Sequence, residues 1–251
     1  MRTSLRSAAV AATAVSFALL VSACGGGEKS GDKGGATGAP SASATSAPAA
    51  ETLSAAELEK AIVEQADLKG YQVQKAKPAD ILAADAVSTD KPACKPIADG
   101  MSSIAIGKPA ASAQRKAIEM PKTEGTASPE EALGALAAPV TGVTLGAYEG
   151  QGAQEAFASL KTAGTDCAGG FTLLGGGEKT KIVKIAPETA SAGDEALAWT
   201  ITTDVDGKPF LTKLVVFRKG NTLASFHTLS FGGAVKALPQ AIIDAQAAKL
   251  S

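Results

Sequence analysis

From Ser54 onward the hydrophobic spacing keeps switching between a helical period and a strand period. In LSAAELEKAIVEQADL, Leu58, Ala61, Ile62, Gln65 and Ala66 recur at helical intervals, and Ser54 with Glu57 has capping-box spacing. A helix is therefore expected over residues 54–67. GYQVQKA then alternates Tyr71, Val73 and Lys75 as a strand does. Pro92 to Met101 reads as a short helix carrying Cys94, AQRKAIEM as a strand, and Glu130 to Ala137 as another short helix. In VTGVTLGAYE, Val143, Leu145 and Ala147 fall on one face of a strand. Residues 152–166 return to the helical period with Phe157 and Leu160 inward, stopped by Gly169-Gly170. FTLL, a GGG turn and TKIVKIA make a hairpin.

The most sharply patterned region is DEALAWTITTDVDGKPFLTKLVVFRKGNTLASFHTLSF. Asp206-Gly207 and Gly220-Asn221 are two-residue hairpin signals between strands rich in Val, Ile, Thr and aromatics. Two-residue loops pair Thr203 with Phe210, Ile201 with Thr212 and Trp199 with Leu214, and they put His227 opposite Leu214. Trp199, Leu214, Val216, His227 and Leu229 then share one face, because side chains alternate strictly along a strand. ALPQAIIDAQAAKL closes the chain as a helix with Pro239 near its first turn and Leu238, Ile242 and Ala245 inward. Mixed helices and strands, then a meander, then a helix indicate an α+β fold. The expected form is an antiparallel sheet with helices packed mainly on one side.

The first fifty residues follow another logic. Met1 to Ser7 holds Arg2 and Arg6 and no acid, and Ala8 to Val21 is an apolar run that ends in small residues before Cys24. This is the layout of an export signal, too short and alanine-rich for a comfortable membrane span. GGGEKSGDKGGATGAPSASATSAPAA, residues 25–50, contains no large apolar side chain that could offset the entropy of ordering it. Such a tether has a root-mean-square reach of roughly 25–30 Å. The expected organisation is thus 1–23 signal, 24–50 tether and 51–251 a single folded domain.

Val21-Ser22-Ala23-Cys24, read with the segment before it, resembles the lipobox of bacterial lipoproteins. That resemblance implies diacylglyceryl attachment to the Cys24 sulfur, cleavage after Ala23 and often acylation of the new amino group. The membrane becomes a partner through the lipid, and the address becomes the outer face of the cytoplasmic membrane. Two or more acyl chains are what stable anchoring needs.

Of three cysteines, Cys94 and Cys167 are left. In an oxidising compartment they are expected to form a disulfide that closes a loop of about 74 residues, worth roughly 4 kcal/mol in the chain-entropy model. Free buried thiols are the alternative. Either way no cofactor or metal centre is expected, since one histidine and three cysteines fall short of a structural zinc set. Without residues 1–23 the chain keeps 22 bases against 25 acids, a net charge of −3, which argues against nucleic acid.

GDEALAW, DGKPF, VVFRKGN and the closing AIIDAQAAKL, together with Cys94 and Cys167, look like the extracellular sensor-domain family of bacterial transmembrane Ser/Thr kinases and related free lipoproteins. The resemblance implies a non-catalytic domain and, for some members, an apolar cleft for an unidentified ligand. Members on kinases typically carry two disulfides, whereas this chain has cysteines for one, so cleft geometry is not carried over. The kinase itself is absent: there is no Gly-rich nucleotide loop, no HRD and no DFG.

Other motifs weigh little against a plain structural role. DVDG at 204–207 lacks the later ligands of a calcium loop, and GGGEKT at 175–180 has Glu178 where a phosphate loop needs glycine. Ser88-Thr89-Asp90-Lys91 matches S-x-x-K without its partner motifs. His227 has no nucleophile or orienting partner that can be named from sequence. Trp199, Leu214 and His227 are the candidate ligand-binding residues. Three functions compete: a displayed sensor or partner-binding domain, for a small apolar or wall-derived ligand or an envelope protein; a lipid carrier with an apolar cavity; and a cell-envelope hydrolase.

Overall fold

The computed structural model describes residues 52–77, 82–120 and 137–251, all within the unit Ser46–Ser251. Cys24, the signal, the tether and the helix expected at 130–137, except Ala137, lie outside the described residues. The strands are β1 (Tyr71–Lys75), β2 (Val87–Thr89), β3 (Ala111–Glu119), β4 (Val140–Ala147) and β5 (Phe171–Gly175). The remaining four are β6 (Glu178–Glu188), β7 (Glu195–Val205), β8 (Lys208–Lys219) and β9 (Thr222–Leu229). They form one antiparallel sheet in the order β1-β3-β4-β9-β8-β7-β6-β5-β2. Four α-helices accompany it among the described residues: α1 (Ala55–Ala61), α2 (Lys95–Met101), α3 (Gly152–Asp166) and α4 (Gln240–Lys249). The class is α+β with an antiparallel sheet, as expected, but the helices are not gathered mainly on one side: two pack on each face, because the central strands are apolar on both.

The meander has the expected register. Thr203 pairs with Phe210, Ile201 with Thr212, Trp199 with Leu214, and Leu214 with His227. At the first turn Asp206 and Gly207 both take positive φ (53° and 78°), the geometry that lets a two-residue loop follow the twist of the strands. Strand β8 lies deep in the sheet, and Thr212 to Phe217 are all buried, with Leu214 to Phe217 an unbroken apolar run.

Burial on both faces requires cover on both. On one face α2 and α3 pack over Ile182, Ile185, Trp199, Ile201, Leu214 and Val216. On the other, α1 and α4 pack over Val143, Leu145, Val215, Phe217 and Phe226. Glycines set how closely the first pair approaches. A Cβ on Gly100 of α2 would stand 3.0 Å from a Leu214 methyl, and one on Gly164 of α3 would stand 2.7 Å from the Trp199 indole. Cys94 and Cys167 are bonded, with Cα atoms 5.8 Å apart. The bridge ties the turn that leads into α2 to the end of α3.

Helix α1 is shorter than its periodicity suggests. Its capping box is present, but Ile62 is already extended (φ −73°, ψ 149°). The Gln246 side chain of α4 takes over there: Val63 N–H donates to its Oε1 at 2.9 Å, and its Nε2 donates to the Ala61 carbonyl at 2.8 Å. A single 3₁₀ turn, Gln65–Asp67, follows. The edge strand β2 was not expected; three residues are too few to show a period.

Candidate functional site

Along the sheet one cross-strand row joins Gln74 of β1, Lys116 of β3, Gly142 of β4, His227 of β9, Leu214 of β8 and Trp199 of β7. All six face the side that carries α2 and α3. The row divides in two. Trp199 and Leu214 are sealed under α3 and α2, with exposures of 4% and 0%. From His227 to Gln74 the row lines a cleft of about 410 Å3. Of the three ligand candidates named from sequence, the structure thus places His227 in a cleft and the other two in the core beside it.

The end of α2 walls the cleft. Ser102 caps the helix, and Ser103 follows in the left-handed region with φ 55°. Ile104 N–H donates to the Asp99 carbonyl and Ser103 N–H to the Gly100 carbonyl, so the helix closes in a Schellman motif with serine where glycine is usual. The Ser103 carbonyl is pinned from the sheet by Gln114 Nε2 at 2.7 Å and Thr144 Oγ1 at 3.0 Å. Its hydroxyl dips toward Gly142, where it lies 2.3 Å from the position a Cβ would take. Any larger residue at 142 would collide with it. A glycine inside a strand often marks such a close approach, and Gly142 was a signal that the sequence reading passed over. Ser103 and Lys116 carried no motif that could have singled them out.

His227 is the chemical centre of the cleft. Its ring is part-buried, and Nε2 is sealed from water with no hydrogen-bond partner. Burial without a compensating charge pushes its pKa down to about 4, so the imidazole is neutral at neutral pH. Among the described residues the lining contains Lys75, Lys77, Arg115 and Lys116 and no Asp or Glu. Arg115 and Lys75 are engaged by Glu59, each at 3.0 Å. Met101, Val140 and Leu229 supply an apolar strip.

The fold is similar to that of the extracellular domain of PknH from Mycobacterium tuberculosis, with a TM-score of 0.50 at 12% identity, over 80% of this chain and 97% of that one. A second solved structure, an uncharacterized protein (Rv0999 ortholog) from Mycobacterium smegmatis, aligns over 78% of this chain and 93% of its own at 11% identity and a TM-score of 0.33. No protein-family model and no curated protein matches the sequence. At such identity the likeness to the PknH domain speaks to fold.

The site's chemistry has to come from its own residues. Ser103 and His227 share the cleft, yet Nε2 makes no hydrogen bond to the hydroxyl, and among the described residues no carboxylate lines the cleft to orient the ring. Nucleophilic catalysis needs both contacts in some form. Among the described residues no group of three or more His, Cys, Asp or Glu side chains is placed to hold a metal ion. Nor is any helix among the described residues long and apolar enough to cross a membrane.

Proposed function

We propose that this chain is a lipid-anchored, non-catalytic binding module on the outer face of the cytoplasmic membrane, and that it seats a small ligand in the His227 cleft. One observation carries the reading: a neutral, part-buried imidazole lines a cleft with hydrogen-bonding and apolar walls, and among the described residues that cleft holds no catalytic constellation. A cleft of about 410 Å3 falls within the range of small-molecule sites. The disulfide suits an oxidising compartment, and the lipobox-like Val21–Cys24 with its tether supplies the anchor. The similarity in fold to the extracellular domain of PknH agrees with an extracytoplasmic address.

The carrier alternative calls for a hollow lined by Leu, Ile, Val and Phe. Those residues fill two packed cores on either side of the sheet, and the cleft has a mixed lining, which favours the binding module. Two measurements test the proposal. Mass spectrometry of the mature protein is expected to show an N-terminus at Cys24 carrying diacylglycerol; an N-terminus elsewhere would remove the anchor. The mature chain with Cys24→Ser, exposed to cell-envelope extract and washed, is expected to retain a small molecule that Leu229→Trp excludes at unchanged melting temperature. Equal retention by both proteins would reject the cleft as the site.

A further inference from the structure

We propose that the cleft is built for a single-chain anionic amphiphile. Its acid group sits between Lys116 and His227, against the outer side of the Ser103 hydroxyl, and its chain lies along Met101, Val140 and Leu229. This rests on the reading of the cleft as a binding site and adds the chemistry of the ligand.

The seat follows from the sheet register. Lys116 pairs with Gly142 and Gly142 with His227, so a lysine and an imidazole stand two strands apart with no side chain of the sheet between them. Neighbouring strands lie about 4.8 Å apart, which leaves a gap of roughly 10 Å between their backbones. The Ser103 hydroxyl stands over Gly142 in that gap, so an acid group is seated on the outer side of the hydroxyl, flanked by Lys116 and His227. The third wall is Ser103, held in a backbone conformation that glycine would adopt freely. Its carbonyl is fixed by Gln114 and Thr144, which leaves the hydroxyl as the group presented to the seat.

Charge selects the sign of the ligand. The chain as a whole carries a formal net charge of −1, yet the described lining of this cleft is basic and lacks any carboxylate. Lys116 is exposed and makes no ion pair among the described residues, whereas Arg115 and Lys75 turn to Glu59 on the opposite face. The remaining cation of the lining, Lys77, sits at the end of β1.

Polarity then sets the direction of the chain. The polar groups Lys116 and His227 lie on the row through Gly142, with Ser103 above it. Leu229, two residues beyond His227, and Val140, two before Gly142, continue that face as an apolar strip toward the ends of β9 and β4. Met101, flexible and polarizable, roofs it. The polar seat and the apolar strip are contiguous, and together they match a head and a tail.

The single histidine gives a direct readout, because its imidazole signals in a ¹H–¹⁵N spectrum belong to one residue. Mature Cys24→Ser protein is titrated with four probes below their micelle concentrations, decanoate, decanol, decyltrimethylammonium and acetate, and separately with phosphatidylglycerol vesicles. Decanoate is expected to shift the His227 signals saturably and to raise the pKa of the ring. It should bind at least about tenfold more tightly than the other three, the combined effect of a buried chain and a partly screened charge pair. Lys116→Gln, at an exposed position, should lower decanoate affinity about fivefold and leave that of decanol unchanged. Decanol or decyltrimethylammonium binding as tightly as decanoate would overturn the anion preference and leave the cleft as a binding site. Acetate binding as tightly would overturn the amphiphile. A response to phosphatidylglycerol vesicles without one to decanoate would overturn the monomeric ligand. No His227 shift with any chain-bearing probe would overturn this inference, while the binding reading beneath it stands or falls on retention by the Leu229→Trp protein.

Discussion

Two residues at the cleft, His227 and Gly142, have environments that make opposite demands. Gly142 must stay small because Ser103 occupies the space of its side chain. His227 must stay neutral because nothing near it stabilises a charge. The second demand has a consequence for stability. In the folded chain the imidazole pKa lies near 4, against 6.5 for the free group, so the unfolded chain binds the proton first as pH falls. The neutral-ring contribution is complete above about pH 6.5, declines as pH drops through the interval and is gone below about pH 4. Its ceiling is about 3 kcal/mol, reduced because the ring is part-buried and water can relax around it. Asp99, whose pKa burial raises despite Lys95, acts in the opposite sense at the acid end. Denaturant titrations of wild type and His227→Gln at pH 7 and pH 4.5 should show a smaller pH dependence in the variant. Identical slopes would mean that the ring is already solvated.

Among the elements, α2 departs most from its simplest form. A helix of seven residues that ends in a Schellman turn would normally place glycine at position 103. The left-handed conformation costs a residue with a side chain roughly 1–2 kcal/mol, and glycine gives back part of that gain through its greater freedom when unfolded. Ser103→Gly should therefore stabilise the protein by a net of about 0.5–1 kcal/mol, or roughly 1–4 °C in melting temperature for a domain of this size. The same change should weaken decanoate binding by deleting the hydroxyl over Gly142. A lower melting temperature would show that the hydroxyl supports the fold and was not placed at its expense. Elements differed in how much of this the sequence disclosed. The meander was readable to the residue because Asp206-Gly207 and Gly220-Asn221 fix loop length, and loop length fixes register. The end of α1 was not, since a glutamine 183 positions away from Val63 decides it. The partner of β9 was equally hidden: no local signal says that Gly142, and not another strand residue, lies opposite His227. The cleft exists because of that long-range pairing. A reader of the sequence could find its histidine and the row that continues into Leu214 and Trp199, but could not tell which half of the row the helices cover.

At the scale of the molecule, the two faces of the sheet are held by different means, and the cleft depends on both. The face under α1 and α4 is closed by apolar packing with Gln246 at its centre. The face under α2 and α3 has the same kind of core and a covalent tie besides, Cys94 to Cys167, spanning 73 positions. A bridge closing a loop of that length contributes about 4 kcal/mol in the chain-entropy model, and removing native bridges typically costs 2–5 kcal/mol. The loss has a spatial bias as well. The bridge lies at the start of α2, and the cleft wall, Met101 to Ser103, lies at its other end. A freed α2 would shift as a unit and move Ser103 away from Gly142, while β3, β4 and β9 keep their pairing. The double variant Cys94→Ala/Cys167→Ala should thus unfold at a denaturant midpoint lower by the equivalent of about 2–5 kcal/mol. Under conditions where it remains folded it should also bind decanoate several-fold more weakly, with the amides of β4 and β9 still protected from hydrogen exchange. Full affinity in the folded double variant would mean that Gln114 and Thr144 hold the wall of the cleft by themselves, and that the bridge serves stability alone.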